Sequence, residues 1–282
     1  MKNLKIIILC IIAISTCIIV WFRIPYSPLK KQFEQGVDKL KEHNNKNLSI
    51  NTFSEEILAT KPRLLREYIK YCNLENKPMM TYSITTHKNV DFLLNRDKPM
   101  VKIDYIQANF ANIYERIAFI DTNIYGLPFQ GLDDNIDGIG KMKGVIAKLF
   151  TIFNVKGREM DQASLVTVLA EGIVCPSFLM NDDIIWEEID DNHLKATLEQ
   201  YGIKVSGIFE FDNNGAIISF YSKDRYQESN GVYKQLDWKA ECNEYKEIDG
   251  IKRPTVFKGA WIYDEGEEVY FNCEDVNVQF YY

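Results

Sequence analysis

The chain opens on an apolar run that no charge interrupts, Ile6 to Phe22, preceded by Met1-Lys-Asn-Leu-Lys5. Ser15 and Thr16 bring the only hydroxyls, which can bond back to carbonyls of the preceding turn. A run of about 17 residues is the lower end of what spans a hydrocarbon core, so residues 1–23 are expected to form a transmembrane anchor. From Pro28 to Glu42 the pattern becomes amphipathic, with Phe33, Val37 and Leu40 at three- and four-residue spacing. That predicts a juxtamembrane helix lying near the membrane surface. The polar break from His43 to Asn47 reads as a linker. Thr52-Phe-Ser-Glu55 has the form of a capping box opening a second helix. A third begins at Pro62 and carries Leu64, Leu65, Tyr68, Ile69 and Cys72 on one side.

From Met79 the period changes from helix to strand. Met79–Thr86, Met100–Asn109 and Tyr114–Ile124 alternate apolar and polar positions, as half-buried antiparallel strands do. Lys143–Val155 is a further apolar run. One helix follows, Asp161 to Val174, with Asp161 placed to cap it and Pro176 to end it. Strands return at Ile184–Ile189, His193–Glu199, Lys204–Phe211, Ala216–Lys223, Trp238–Tyr245, Thr255–Tyr263, Glu268–Cys273 and Val276–Tyr282. Asp212-Asn-Asn-Gly215 and Lys246–Gly250 read as hairpin turns. No repeat with a period of about 20–50 residues is visible. The pattern predicts an α+β fold: a large antiparallel β-sheet with one inserted helix and N-terminal helices, preceded by a transmembrane helix. The expected organisation is an anchor over 1–23, a juxtamembrane helix and linker over 24–52, and the sheet domain over 53–282.

The N-terminal run has two other readings. Ala13-Ile14-Ser15 is a passable cleavage site, but the run continues past it to Val20-Trp-Phe22. A lipoprotein signal would end at Cys17, yet Thr16 is bulkier than the Gly or Ala usual before an acylated cysteine. An uncleaved anchor through residues 6–22 fits better, with Trp21 and Phe22 in the aromatic belt. Lys2 and Lys5 favour a cytoplasmic N-terminus, which places the remainder outside the cytoplasm of a bacterial cell.

Net charge and thiols narrow the function. A formal charge of −7 and the lack of a basic patch argue against nucleic acid as a partner. Outside the apolar run, Cys72, Cys175, Cys242 and Cys273 show no C-x-x-C spacing, so a zinc or redox motif is not indicated. Buried free thiols are expected, with Cys242 and Cys273 the preferred pair if any bridge forms.

Gly126-Leu127, Asp133, Asp137-Gly138-Ile-Gly140-Lys-Met142, Met160-Asp-Gln-Ala163, Leu169-Ala-Glu171, Pro176, Trp186, Asp224-Arg225 and Trp261 occur in an order that resembles an uncharacterised bacterial family. The resemblance runs from about Pro62 to the C-terminus. It implies a membrane-anchored domain of unknown function and transfers no catalytic residue. The element order also resembles the half-barrel of lipoprotein-sorting carriers, whose concave sheet, lidded by helices, shelters acyl chains.

Individual residues offer few reactive constellations. Asp133-Asp-Asn135-Ile-Asp137-Gly138 matches the first half of a calcium loop, but the twelfth position, where a bidentate Glu belongs, is Gly144. Asp133, Asn135 and Asp137 are therefore weak metal candidates, an acidic turn between strands being the alternative, and no other cofactor is implied. Glu171 lies in an apolar helix and needs a cation if buried; Arg225, beside Asp224, is the expected partner in a structural ion pair. His43, His87 and His193 are far apart and expected at the surface or at strand ends. No G-x-S-x-G elbow occurs. Aromatic strands supply the positive lead: Phe119, Tyr125, Phe150, Phe153, Trp186, Phe209 and Trp261 are candidates to line a cleft for an apolar ligand. The expected function is non-catalytic binding of a lipid or other apolar molecule. An envelope scaffold or sensor acting through a sheet edge, or an enzyme using Glu171 and Arg225, are the alternatives.

Overall fold

The structure, a computed structural model, describes residues 2–46, 51–94, 96, 98–229 and 231–282. Helix α1 (Lys2–Arg23) is long and apolar enough to cross a membrane, and none of its most apolar window is buried against the rest of the molecule. Helix α2 (Pro28–Lys46) follows after a short break. It runs through the expected linker as far as Lys46, because Asn44 is buried: its amide donates to the Thr81 carbonyl and its oxygen accepts from the Asn112 N–H, both at 3.1 Å. Asn47, the last residue of that linker, lies outside the described residues. Helices α3 (Glu55–Ala59) and α4 (Arg63–Tyr71) come next. Ser54, not Thr52, caps α3, its hydroxyl accepting from the Ile57 N–H.

The rest is one curled antiparallel sheet. In chain order its strands are β1 (Tyr82–Phe92), β2 (Val101–Phe110), β3 (Arg116–Ile124), β4 (Leu127–Ile136), β5 (Ile139–Ile146) and β6 (Phe150–Lys156). After helix α5 (Arg158–Ala170) come β7 (Ile185–Glu188), β8 (His193–Gln200), β9 (Ile203–Phe211), β10 (Ile217–Ser229), β11 (Val232–Ile248), β12 (Ile251–Tyr263), β13 (Gly266–Cys273) and β14 (Asn277–Tyr281). The spatial order is β6-β5-β4-β3-β2-β1-β13-β12-β11-β10-β9-β8-β7, with β14 also pairing β1. Each neighbouring pair is thus a hairpin of consecutive strands except at one seam, where β1 meets β13 and β14. The seam divides the sheet into a first arm, β1–β6, and a second arm, β7–β13.

Turn chemistry fixes the hairpin registers. At the β3–β4 tip Ile124 faces Leu127, and at the β4–β5 tip Ile136 faces Ile139. Two-residue connections of this kind need positive φ at both positions, which Tyr125-Gly126 (52° and 79°) and Asp137-Gly138 (54° and 74°) supply. The acidic stretch, read as a turn between strands with only a weak metal candidacy, is therefore strand β4 with its tip. The run expected over Lys143–Val155 is two strands, broken where Ala147 and Lys148 take positive φ.

The sheet curls around α5, which packs against β4 and β5 of the first arm and β9 and β10 of the second. Gly157, not Asp161, occupies the helix N-cap position; the Asp161 carboxylate instead accepts the Gly140 N–H at 2.8 Å, tying helix to strand. The helix tightens into a 3-10 turn at Glu171–Val174. On the concave face of the second arm Leu165, Val166 and Leu169 join Phe209, Phe220 and Val205, and α4 adds Leu65, Tyr68 and Ile69. On the convex face of the first arm, α2 lays Leu29, Phe33, Val37 and Leu40 on Phe110, Ile117, Phe119 and Leu132. Its apolar stripe is thereby spent on the sheet rather than on a membrane surface. Cys72, Cys175, Cys242 and Cys273 are buried free thiols.

Candidate functional site

Between the two arms lies a cavity of about 1120 Å³. The first arm contributes Tyr105, Gln107, Arg116, Ile120, Asp133, Met142 and Phe153. The second contributes Arg225, Trp238, Phe257 and Trp261, and α5 with its 3-10 extension lines the cavity through Ser164, Thr167, Glu171 and Val174. Pairing explains how one face of β2–β4 is polar: Gln107 faces Ala118 and Ala118 faces Asp133, while the alternate residues Ile106, Phe119 and Leu132 face α2.

At the centre of that polar face sits Arg116, only 1% exposed. Its Nε donates to Glu171 at 2.7 Å, Nη1 to Asp133 at 2.8 Å and Nη2 to the Tyr105 hydroxyl at 2.6 Å. Asn109 donates to the same Glu171 oxygen at 2.6 Å and receives from Gln107 at 2.8 Å. Burial opposes the guanidinium charge, but Asp133 and Glu171 outweigh it and hold the Arg116 pKa well above its ordinary value. Burial raises the Glu171 carboxyl, with Arg116 pulling the other way. It also pushes the Tyr105 phenol far up, leaving it a neutral hydrogen-bonding group. The network is completed within the protein, as buried charge requires.

Glu171 therefore pairs with Arg116 and not with Arg225, which corrects the expected ion pair. Arg225 lies over the rings of Trp238 and Trp261, its Cζ 4.2 and 5.4 Å from their centroids. Its Nε and Nη1 have no hydrogen-bond partner among the described residues, so the aromatic faces take the place of a carboxylate. His87, expected near the surface, is instead buried in β1 among Tyr105, Phe257 and Phe271, with ring centroids 5.3, 6.0 and 5.5 Å away. Desolvation lowers its pKa to about 3, so the imidazole in the cavity wall is neutral.

Of the aromatic candidates, Phe153 and Trp261 line the cavity. Phe119 faces away, against Phe33 of α2 at 6.1 Å, and Phe209 is wholly buried in the second-arm core. Tyr125 and Phe150 stand at hairpin tips, 92% and 65% exposed. Trp186 packs on Phe209 and borders a separate surface recess beside Lys61, whose ammonium pairs with Asp182 at 2.6 Å. Arg116, Tyr105, His87, Trp238 and Phe271 are lining residues that sequence reasoning missed. A signal existed for the first: a lone arginine opening the apolar strand Arg116-Ile-Ala-Phe-Ile120 needs a buried acid.

The three metal candidates are engaged separately. Asp133 pairs with Arg116, the Asn135 amide donates to the Tyr114 carbonyl at 2.7 Å, and Asp137 sits in the β4–β5 tip. Asp137 instead comes together with His43 and Glu115, ligand atoms of the three lying within 4.8 Å of one another. Glu115 there accepts the Asp137 N–H at 2.9 Å and Asp137 pairs with Lys39 at 3.2 Å, so protein partners already occupy these carboxylates.

Fold and cavity together define a class: a curled antiparallel half-barrel wrapped on one helix, with a partly open, aromatic-lined space and an apolar helix at its N-terminus. Residues 51–273 match the family of unknown function DUF6544, and the chain belongs to that family. No curated protein matches it. Among solved structures, the chain is similar to a LolA superfamily protein from Nitrosomonas europaea, at 14% identity and TM-score 0.39 over 77% of this chain and 91% of that one. A DUF1329 family protein from Desulfovibrio piger gives 12% identity and TM-score 0.39 over 71% and 86%. A protein provisionally described as an outer membrane lipoprotein-sorting protein domain, from Vibrio parahaemolyticus, gives 11% identity and TM-score 0.39 over 79% and 91%. At these identities the likeness is one of fold outline and says nothing of ligand.

Proposed function

We propose that this protein is a non-catalytic, membrane-tethered domain that holds a lipid or other apolar molecule between the two arms of its sheet, outside the cytoplasm. The cavity carries the reading. At about 1120 Å³ it is slightly larger than the roughly 300–1,000 Å³ usual for ligand pockets. Its walls supply large apolar groups from both arms, Ile120, Met142 and Phe153 facing Trp238, Phe257 and Trp261. The acids in its central wall, Asp133 and Glu171, are spent on Arg116, which leaves them poorly placed to transfer protons to a ligand.

Native mass spectrometry of the full chain, released from a mild detergent, tests this. An acyl-chain species is expected to co-purify stoichiometrically and to be lost in Ala240→Trp, which fills the cavity beside Trp238. Identical apo masses for both proteins, with no lipid taken up on titration, would overturn the reading.

A further inference from the structure

Among the described residues, the exposed large apolar residues of the first arm are gathered at one end, apart from Ile139 at the β4–β5 tip. There Tyr125 (92% exposed), Leu149 (60%) and Phe150 (65%) project from the β3–β4 and β5–β6 tips, with Ile152 (53%) just beyond. The two tips are neighbours, since the Ala147 N–H donates to the Pro128 carbonyl at 2.7 Å. No acidic residue occurs in Ile124–Phe129 or Val145–Phe153. Scattered single apolar residues are ordinary on a surface, but a contiguous set without acids marks an interaction site. The β4–β5 tip at the opposite end carries Asp137-Gly138, ion-paired to Lys39.

What lies beside these tips names the partner. The C-terminal end of α1 docks on the β5–β6 tip: Trp21 Nε1 donates to the Ala147 carbonyl at 3.0 Å. Lys148, the one charge in the two tips, is only 9% exposed, and its Nζ donates to the Phe22 and Ile24 carbonyls at 3.1 and 2.6 Å. It thus caps the negative end of α1 and gives its charge to the helix instead of the surface. The cavity reaches the same end, for Ile152 and Leu94 are both lining residues and both exposed. Leu94 lies in the β1–β2 connection, and the pairing of Asp104 with Asp121 puts that connection at the β3–β4 tip.

We infer that these hairpin tips are inserted into the lipid–water boundary of the bilayer that α1 crosses, so that the cavity opens onto the membrane surface. The inference rests on reading α1 as a membrane helix and the cavity as a lipid site. Tyr125 and Phe150 then extend the aromatic belt begun by Trp21 and Phe22.

Nitroxide labels on the full chain in phosphatidylcholine–phosphatidylglycerol vesicles test it. One label is placed at a time, with Cys10 and Cys17 replaced by Ala: Tyr125→Cys, Phe150→Cys, and Ile139→Cys at the far end of β5. A fourth protein keeps Cys17 as the depth standard. Collisions with oxygen are expected to exceed those with a water-soluble nickel chelate at 17, 125 and 150, and the reverse at 139. Positions 125 and 150 behaving like 139 while 17 is in lipid would overturn the inference alone; position 17 in water would remove the anchor reading and the inference with it. The double variant Tyr125→Asp/Phe150→Asp is expected to take up fluorescent phospholipid from vesicles on the order of tenfold more slowly, yet to bind it unchanged from detergent solution. Equal uptake from vesicles would count against the inference, whereas no binding by either route in the parent chain would sink the cavity reading.

Discussion

The two arms treat their inner faces in opposite ways. In the second, Val205, Phe209 and Phe220 are apolar and α4 and α5 fill the space against them. In the first, Tyr105, Gln107, Asn109, Arg116 and Asp133 are polar, bonded to one another and to Glu171, and much of that face borders open space. An apolar face gains by meeting a helix, at roughly 25 cal/mol per Å² removed from water. A polar face whose hydrogen bonds are already complete gains little. The contrast teaches that this cavity is kept open beside a polar wall whose central network around Arg116 is satisfied, with the apolar parts of its lining held apart around it.

The severest break of that wall is Arg116→Met. It leaves Glu171 and Asp133 buried without a cation and is expected to cost about 3–5 kcal/mol, read as a fall in the urea midpoint of the solubilised chain. The double change Arg116→Met/Glu171→Gln should recover part of the loss, because it removes one of the two stranded charges. Phe209→Ala in the second arm should cost a similar ~3–5 kcal/mol, but no polar compensation can restore it, since the loss there is contact and cavity.

A second test uses pH. The folded His87 pKa of about 3 lies below its unfolded value of 6.5, so the unfolded chain binds the extra proton between these values. Stability from this group is complete above pH 6.5 and falls as pH drops toward 3, with about 3 kcal/mol gone by pH 4. Asp134, raised to about 6 by burial, works in the opposite sense between 6 and 3.8. Denaturation midpoints of His87→Phe against the parent isolate the first contribution: the variant should lose the His87 part of the slope and keep that of Asp134.

Smaller effects sharpen the contrast between filled and open arms. A methyl added at Gly207 would sit 2.0 Å from the Phe220 ring, so Gly207→Ala is expected to cost about 1–3 kcal/mol by overpacking. Ala240→Leu points into the open space and should change thermal stability by less than about 1 kcal/mol.

How much of this was legible in the sequence differs by element. Period-two alternation gave most strands, and the buried side of α4 was read correctly. Alternation cannot say which face is concave, however, and a single step of parity places Phe119 against α2 while Phe153 lines the cavity. Asp133-x-Asn135-x-Asp137-Gly138 was ambiguous for the same reason: oxygen ligands at alternate positions and a polar-faced strand ending in an Asp-Gly turn are the same pattern. Glu171 was recognised as needing a cation. Arg225 was the named partner because it stands beside Asp224 at a strand end, and the curl of the sheet around α5 brings Arg116 to Glu171 instead.

One feature of the topology bears on how the molecule comes into being. The seam joins β1 to strands about 180–200 residues later, with Tyr82 facing Tyr281 and their rings stacked at 4.4 Å. Every other strand pair is local and can zip during synthesis, but this one waits for the end of the chain. Until then β1 is a bare edge, open to pairing with a neighbouring chain. The cavity, whose walls come from both sides of the seam, has no existence in the nascent protein. The last strands made are the ones that turn two separate hairpin stacks into a vessel.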